Sequence, residues 1–221
     1  TSDPDDSNSP EARFLLAGGV VAMCAIFSAM RAAGQIAYYG APLRLYSQLF
    51  SELARAEASA TGSSGSPLPL VVCAGNEWYR FPSSFFLPRG TTLSFIRDGF
   101  RGQLPAPFAA PAPGGTRVVP PHFNGLNREE SSRYVPLGSC DVLVDLLPIA
   151  GSDDEQARAS LQRGMRVWRT ERFLDAARSP GWSRALYIPG FSERRNAYAE
   201  YALLLTPKGV KSFETRGVTG L

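Results

Sequence analysis

The feature that most constrains this chain is an uncharged run near its start. Residues 14–30 carry no charged side chain and lie between Arg13 and Arg31. As a helix the run would reach about 26 Å, close to the roughly 27 Å hydrocarbon layer of a thin biological membrane. A surface helix would show a polar stripe, and this run shows none. We predict a membrane-spanning helix over residues 13–39, with a buried core helix as the alternative.

Charge around this run bears on processing and orientation. The first twelve residues carry Asp3, Asp5, Asp6 and Glu11, whereas a cleaved signal peptide begins with a basic region. Arg31 and Arg44 follow the run, so the positive-inside bias would weakly place the large domain on the cytosolic side.

Composition excludes several classes of function. A net charge of +3, with acids and bases interspersed, argues against nucleic-acid binding. Three cysteines without metal-type spacing and the single histidine, His122, argue against a metal centre or a histidine-based triad.

The rest of the chain mixes helical and strand patterns. Pro42 opens an amphipathic helix with Tyr46, Leu49, Phe50 and Leu53 on one face, and a glycine- and serine-rich linker ends it. Strands are predicted at 68–74, 92–96, 140–147, 184–188 and 198–205, and a helix between Asp153 and Trp168. The fold class is α/β: one N-terminal transmembrane helix, then a small mixed-sheet domain of four to six strands. The divisions are an acidic loop (1–12), the membrane helix (13–39), the amphipathic helix and linker (40–66), the α/β domain (67–208) and a tail (209–221).

Candidate site residues follow the first strand. Glu77, Trp78, Tyr79 and Arg80 come where α/β sheets place ligands, at the carboxyl end of a strand. An aromatic ring offers a flat face to a sugar, and arginine can hold a phosphate or hydroxyls. The alternative is that the aromatic residues, with Phe81, anchor the loop in the core and Arg80 pairs with a carboxylate.

A second stretch, 95–105, carries Arg101 and Gln103 among apolar and glycine residues. It could meet a lipid-linked pyrophosphate or the headgroup surface, or be a solvated turn. Asp141 and Asp145 lie four residues apart, on the same side of a strand. A carboxylate can act as a catalytic base, but nothing marks either aspartate as one, and capping or ion pairing is expected for both. Cys73 and Cys140 could bond if their strands are neighbours and the compartment is oxidising.

Several motifs in fixed order resemble one enzyme family. They are Gly-Ala-Pro-Leu-Arg-Leu-Tyr at 40–46, Asn-Glu-Trp-Tyr-Arg-Phe-Pro-Ser-Ser at 76–84, Phe-Arg-Gly-Gln-Leu-Pro at 100–105, Glu-Glu-Ser-Ser-Arg-Tyr at 129–134 and Arg-Phe-Leu-Asp-Ala-Ala-Arg-Ser at 172–179. Together they look like the carboxy-terminal region of the dolichyl-phosphate-mannose-dependent α-1,2-mannosyltransferases, which add the seventh and ninth mannoses to the lipid-linked N-glycan precursor.

The resemblance implies a polytopic endoplasmic-reticulum membrane enzyme of the GT-C type, inverting, without metal or other cofactor, and with its catalytic loop outside this chain. Its partners would be dolichyl-phosphate-mannose, a dolichyl-diphosphate oligosaccharide and the lipid bilayer. The large domain would be lumenal, against the charge bias. Substrate contacts are expected at Glu77, Trp78, Tyr79, Arg80, Arg101 and Gln103. A soluble α/β binding module and a purely structural membrane-tethered cap remain alternatives.

Overall fold

The computed structural model describes residues 10–59, 69–80, 86–88, 90–106, 114–153 and 155–218. The chain divides into two compact units. The helical unit contains Thr1–Gly40 and Phe173–Tyr198, and the sheet unit contains Ala41–Arg172 and Ala199–Leu221. The predicted glycine- and serine-rich linker at 61–67 and the aromatic Phe81 lie outside the described residues.

In the helical unit, the uncharged run belongs to one long helix, α1 (Pro10–Tyr39). It is long and apolar enough to cross a membrane, and none of its most apolar window is buried. Phe14, Leu15 and Leu16 expose 70% or more of their surface. A core helix would bury these side chains, so the alternative of a buried core helix is not what the structure shows.

The carboxyl end of α1 packs against the second segment of the same unit. That segment holds two short helices, α4 (Gly181–Ala185) and α5 (Ser192–Arg195). Tyr38 is fully buried and stacks edge-on against Tyr187, with the ring centroids 5.8 Å apart. The predicted strand at 184–188 is wrong. Pro180 precedes a helical turn there, and Tyr187 donates its N–H to Met30 of α1 instead of to a strand.

The sheet unit is built on five strands in the order β2-β1-β3-β5-β4. They are β1 (Leu70–Ala74), β2 (Thr91–Phe95), β3 (Val142–Leu146), β4 (Arg166–Leu174) and β5 (Tyr198–Leu205). β1 pairs in parallel with β2 and β3, and β3 pairs antiparallel with β5. Every residue of β3 is buried, as its continuous apolar run predicts. The predicted mixed α/β class and strand number are confirmed.

Three further helices belong to this unit: α2 (Ala41–Ser59), α3 (Glu155–Leu161) and α6 (Pro207–Thr215). α2 buries Tyr46, Leu49 and Leu53 as its spacing predicts, but Phe50 is 48% exposed. α6 begins at the Thr206 cap, whose hydroxyl accepts from the Gly209 N–H.

The predicted helix between Asp153 and Trp168 is only partly correct. α3 ends at Leu161, and Gly164 has a φ of +76°, a left-handed conformation that favours glycine and stops a helix. Residues from Arg166 onward form β4 instead. β4 carries several charged residues, as edge strands often do, so its sequence does not show the apolar pattern of a strand.

A disulfide joins Cys73 of β1 to Cys140, which lies just before β3, with the two Cα atoms 5.8 Å apart. β1 and β3 are neighbours in the sheet, so the first of the two conditions set for this bond, that the strands be adjacent, is met. The cluster of buried residues around the bond contains Leu143 and Leu204. The disulfide therefore fixes the middle of the core. Cys24, in α1, is free and exposed.

Candidate functional site

The candidate site lies where β1 and β2, two parallel neighbours, end at the same edge of the sheet. A 3-10 turn, Asn76–Arg80, begins one residue after β1. The Asn76 N–H donates to the Asp98 carboxylate beyond β2, at 3.1 Å. Gly75 permits this approach, because a Cβ there would lie 2.9 Å from Asp98. The local sequence thus brings the two predicted site segments together.

Glu77 points inward from this turn. Its side chain is 3% exposed, and its carboxylate accepts from Arg158 at 3.2 Å and lies 3.2 Å from Arg80. Arg158 also pairs with Asp145 of β3, whose second oxygen accepts from Gln162 at 2.8 Å. We call Glu77, Asp145 and Arg158 the buried ionic cluster. Glu77 therefore anchors the turn to β3 and α3.

Burial also affects the protonation of Asp145 in this cluster. Desolvation raises the pKa of Asp145 to about 6, and the charge of Arg158 opposes that rise. Of the two roles expected for Asp145, capping or ion pairing, the structure shows ion pairing, with Arg158. Asp141 is buried as well, where it accepts from the Val71 N–H at 2.9 Å and from Ser212 at 2.7 Å. Both aspartates hold the fold together.

The next three residues of the turn divide between packing and exposure. Trp78 is half-buried against Phe100, with ring centroids 5.0 Å apart. Tyr79 is 60% exposed, and the Arg80 guanidinium carbon lies 5.1 Å from its ring centroid. Arg80 also donates to the Tyr79 hydroxyl at 2.9 Å. Trp78 thus anchors the turn by packing, and Arg80 pairs with the carboxylate of Glu77. Tyr79, with Arg80 beside it, faces solvent.

Arg97 and Arg101 both approach Glu129, and Arg97 and Glu129 line an open cleft. Arg97 donates to Glu129 at 3.0 Å, and Arg101 lies 4.0 Å from the same carboxylate. The hydrogen bond from Arg97 is the main reason that the pKa of Glu129 is lowered. Tyr134 also donates to Glu129, at 3.1 Å. The cleft is about 400 Å³ and is lined by Arg97, Glu129, Glu130, Ser131 and Tyr134.

Gln103 organises a neighbouring loop. Its side-chain amide donates to the His122 carbonyl at 2.8 Å and accepts from the Asn124 N–H at 3.3 Å. Its backbone N–H donates to Asn127 at 2.9 Å. His122 and Asn127 both have positive φ, of 62° and 52°. Gln103 therefore holds a strained loop in place through both its side chain and its backbone.

Sequence reasoning missed two components of this region. Arg158 completes the buried cluster, and its spacing of four residues from Gln162, just after the end of α3, is the only sequence signal of a shared partner. Glu129 and Tyr134 lie within the motif at 129–134, but nothing in the sequence pairs that motif with Arg97. In the described part of the chain, no group of three histidine, cysteine or carboxylate side chains could hold a metal ion.

Comparison with known proteins gives one consistent result. The chain is 40% identical to the mouse protein named alpha-1,2-mannosyltransferase ALG9, over 91% of this chain and 32% of the mouse protein. It is 40% identical to the human protein of that name over 86% of this chain, and 32% identical to the Saccharomyces cerevisiae protein over 68%. No family model and no solved structure matches. The chain spans about 30% of the length of these relatives. Over most of its length, this chain therefore matches the carboxy-terminal part of the α-1,2-mannosyltransferases, as its motifs predict.

Proposed function

We propose that this chain is the carboxy-terminal part of an endoplasmic-reticulum α-1,2-mannosyltransferase. The whole enzyme would transfer mannose from dolichyl-phosphate-mannose to a dolichyl-diphosphate oligosaccharide during N-glycosylation. The observation that carries the proposal is 40% identity, over 91% of this chain, to a protein named alpha-1,2-mannosyltransferase ALG9. The catalytic loop would lie outside this chain, so we expect the chain alone to transfer no sugar.

In this proposal α1 is the last membrane helix and the sheet unit is lumenal. The exposed apolar surface of α1 supports the span. The Cys73–Cys140 disulfide supports the orientation, because such bonds persist in oxidising compartments and are rare in the cytosol. This observation opposes the weak charge bias around α1, which the preceding helices of a multi-span protein can overrule at its last helix.

The proposed role of the site is to bind the acceptor. The Tyr79 ring, 60% exposed, offers a flat face to the C–H surface of a sugar, and the adjacent Arg80 can donate to hydroxyl or phosphate oxygens. Glu77 and Trp78 would act indirectly, since the buried ionic cluster and the contact with Phe100 hold the turn in position. Arg101 would contribute positive charge beside Glu129, which lines the cleft, and Gln103 would hold its own loop in shape.

The test uses the complete enzyme and its lipid-linked acceptor. We expect Tyr79→Ala to raise KM about five-fold, because a lost ring face is worth about 1 kcal/mol, and Tyr79→Phe to restore most of the binding. Arg80→Ala should also raise KM. Arg163→Ala removes an exposed arginine elsewhere on the sheet unit and serves as the control. Reduced abundance with unchanged kcat/KM in both site variants would refute acceptor binding.

That refuting result would favour a purely structural cap. The pairing of Arg80 with Glu77 and the packing of Trp78 are the observations on its side. A soluble binding module makes a different prediction, that the expressed chain stays in the aqueous phase. Detergent-phase partition of the chain separates that module from both membrane-bound alternatives.

A further inference from the structure

An exposed apolar patch lies in the helical unit. Trp182, Ile188 and Phe191 expose 52%, 41% and 46% of their surface. The rings of Trp182 and Phe191 have centroids 5.6 Å apart, so they form one surface. Clustered apolar surface rimmed by polar residues marks a place that a partner or a membrane covers. We call these three residues the aromatic patch.

Contacts with α1 fix the level of this patch along the helix. Tyr187 donates its N–H to the Met30 carbonyl at 3.2 Å. The Tyr38 hydroxyl donates to the Ser183 carbonyl at 3.0 Å. The Tyr38 ring lies beside Gly34, one turn earlier in α1, where a Cβ atom would be 3.4 Å from the ring. The segment bearing the patch therefore packs between the levels of Met30 and Gly34. That interval is about 6 Å along the helix axis.

This interval begins where the uncharged run ends. Met30 is the last residue of the run and Arg31 follows it. If α1 spans the bilayer as proposed, the interval coincides with the interfacial layer, which is about 5–8 Å thick on each side of the hydrocarbon core. Tryptophan is enriched at that depth because one side of the indole is apolar and its N–H is polar.

Charge next to the patch fits an anionic lipid surface. Arg184, Arg194 and Arg195 are exposed, and the Arg195 guanidinium carbon lies 5.9 Å from the Trp182 ring centroid. Glu193, the carboxylate nearest to Arg194 and Arg195 in sequence, accepts a hydrogen bond from the Tyr187 hydroxyl at 2.5 Å. Basic residues close to the membrane contribute about 1 kcal/mol each against anionic lipid.

We infer that the aromatic patch inserts into the interfacial layer of the bilayer, with Arg194 and Arg195 at the level of the lipid phosphates. The inference rests on the proposed span of α1 and adds a second membrane contact to it. Lipid is the occupant because the segment that bears the patch packs at the level where the apolar run of α1 ends, and because the patch combines aromatic rings with arginines. The contact would hold the second segment of the helical unit against the membrane surface.

A nitroxide at Ile188→Cys measures the depth of the patch. The 221-residue chain carries Cys24→Ala, so that the disulfide leaves the introduced thiol as the only reactive one. It is reconstituted in phosphatidylcholine vesicles with and without phosphatidylserine. Collision with oxygen, which dissolves in lipid, is compared with collision with a water-soluble nickel chelate. Glu214→Cys, on the exposed face of α6, gives the aqueous reference, and Val21→Cys reports the span of α1.

We expect the label at 188 to favour oxygen over nickel relative to the label at 214, at a depth near the lipid phosphates. Arg194→Gln with Arg195→Gln should reduce that preference only when phosphatidylserine is present. Nickel access equal to that at 214 would overturn the inference, and so would protection from both reagents, which would mean that protein covers the patch. If either of these results is found while the label at 21 lies in lipid, the proposal that α1 spans the membrane is retained. Aqueous labels at both 21 and 188 would refute the span itself.

Discussion

Removing the guanidinium of Arg158 tests the buried ionic cluster directly. The side chains of Arg158, Glu77 and Asp145 are 7%, 3% and 2% exposed. Arg158→Met would leave two carboxylates in the interior without their shared cation. Breaking a buried pair in this way costs about 3–5 kcal/mol.

Two contacts that survive the substitution place the cost at the lower end. Gln162 still donates to Asp145 at 2.8 Å, and Arg80 still lies 3.2 Å from Glu77. We therefore expect a loss of about 3 kcal/mol at pH 7. In a chain of this size that loss lowers Tm by about 6–12 °C.

The measurement is thermal unfolding of the chain in detergent, followed by near-ultraviolet circular dichroism. Arg163→Met, at an exposed position, is the control and should leave Tm unchanged. A triple variant, Glu77→Gln, Asp145→Asn and Arg158→Met, removes all three charges and should recover most of the loss, because neutral replacement of buried ions is often nearly neutral. A cost below about 1 kcal/mol for Arg158→Met would show that water reaches the cluster and would refute the reasoning.

Three other predictions concern the sheet unit. Replacing Cys73 and Cys140 by alanine opens a loop with a sequence separation of 67 and should lower the free energy of unfolding by about 4 kcal/mol; reduction of the wild-type chain by dithiothreitol should reproduce the loss. Because the pKa of Asp145 is raised to about 6, the folded chain holds this proton more tightly than the unfolded chain, so stability falls as pH rises from about 4 to 6. Asp145→Asn should remove up to about 3 kcal/mol of that fall, and parallel pH profiles for the two proteins would contradict this. Gly209→Ala would place a Cβ 1.9 Å from a backbone carbonyl before β3 and should cost at least 1–3 kcal/mol in denaturant unfolding, whereas Gly138→Ala, in open space, should not.

The central strands could be predicted because their sequences are unambiguous. β1, β3 and β5 are apolar runs that end at glycine, proline or polar residues, and burial on both faces requires such runs. β4 could not be found in this way. Arg169 and Glu171 lie within it, and an edge strand needs fewer apolar residues because one side lacks a neighbouring strand.

The site shows a similar division. The position of Glu77–Arg80 after β1 follows from the order of the elements, so the approach of this turn to the loop after β2 could be expected. The inward orientation of Glu77 could not, because its partner Arg158 is 81 residues further along the chain. Long-range ion pairs leave no periodic trace in a single sequence.

The order of the strands has a consequence for synthesis. β5 lies between β3 and β4, although it is the last of the five to emerge from the ribosome. Until residue 205 has been made, β3 has one open edge that includes Leu143 and Val144, both destined for the interior. Nascent chains halted before this point would expose an unpaired hydrophobic strand, and such edges promote aggregation and engage chaperones.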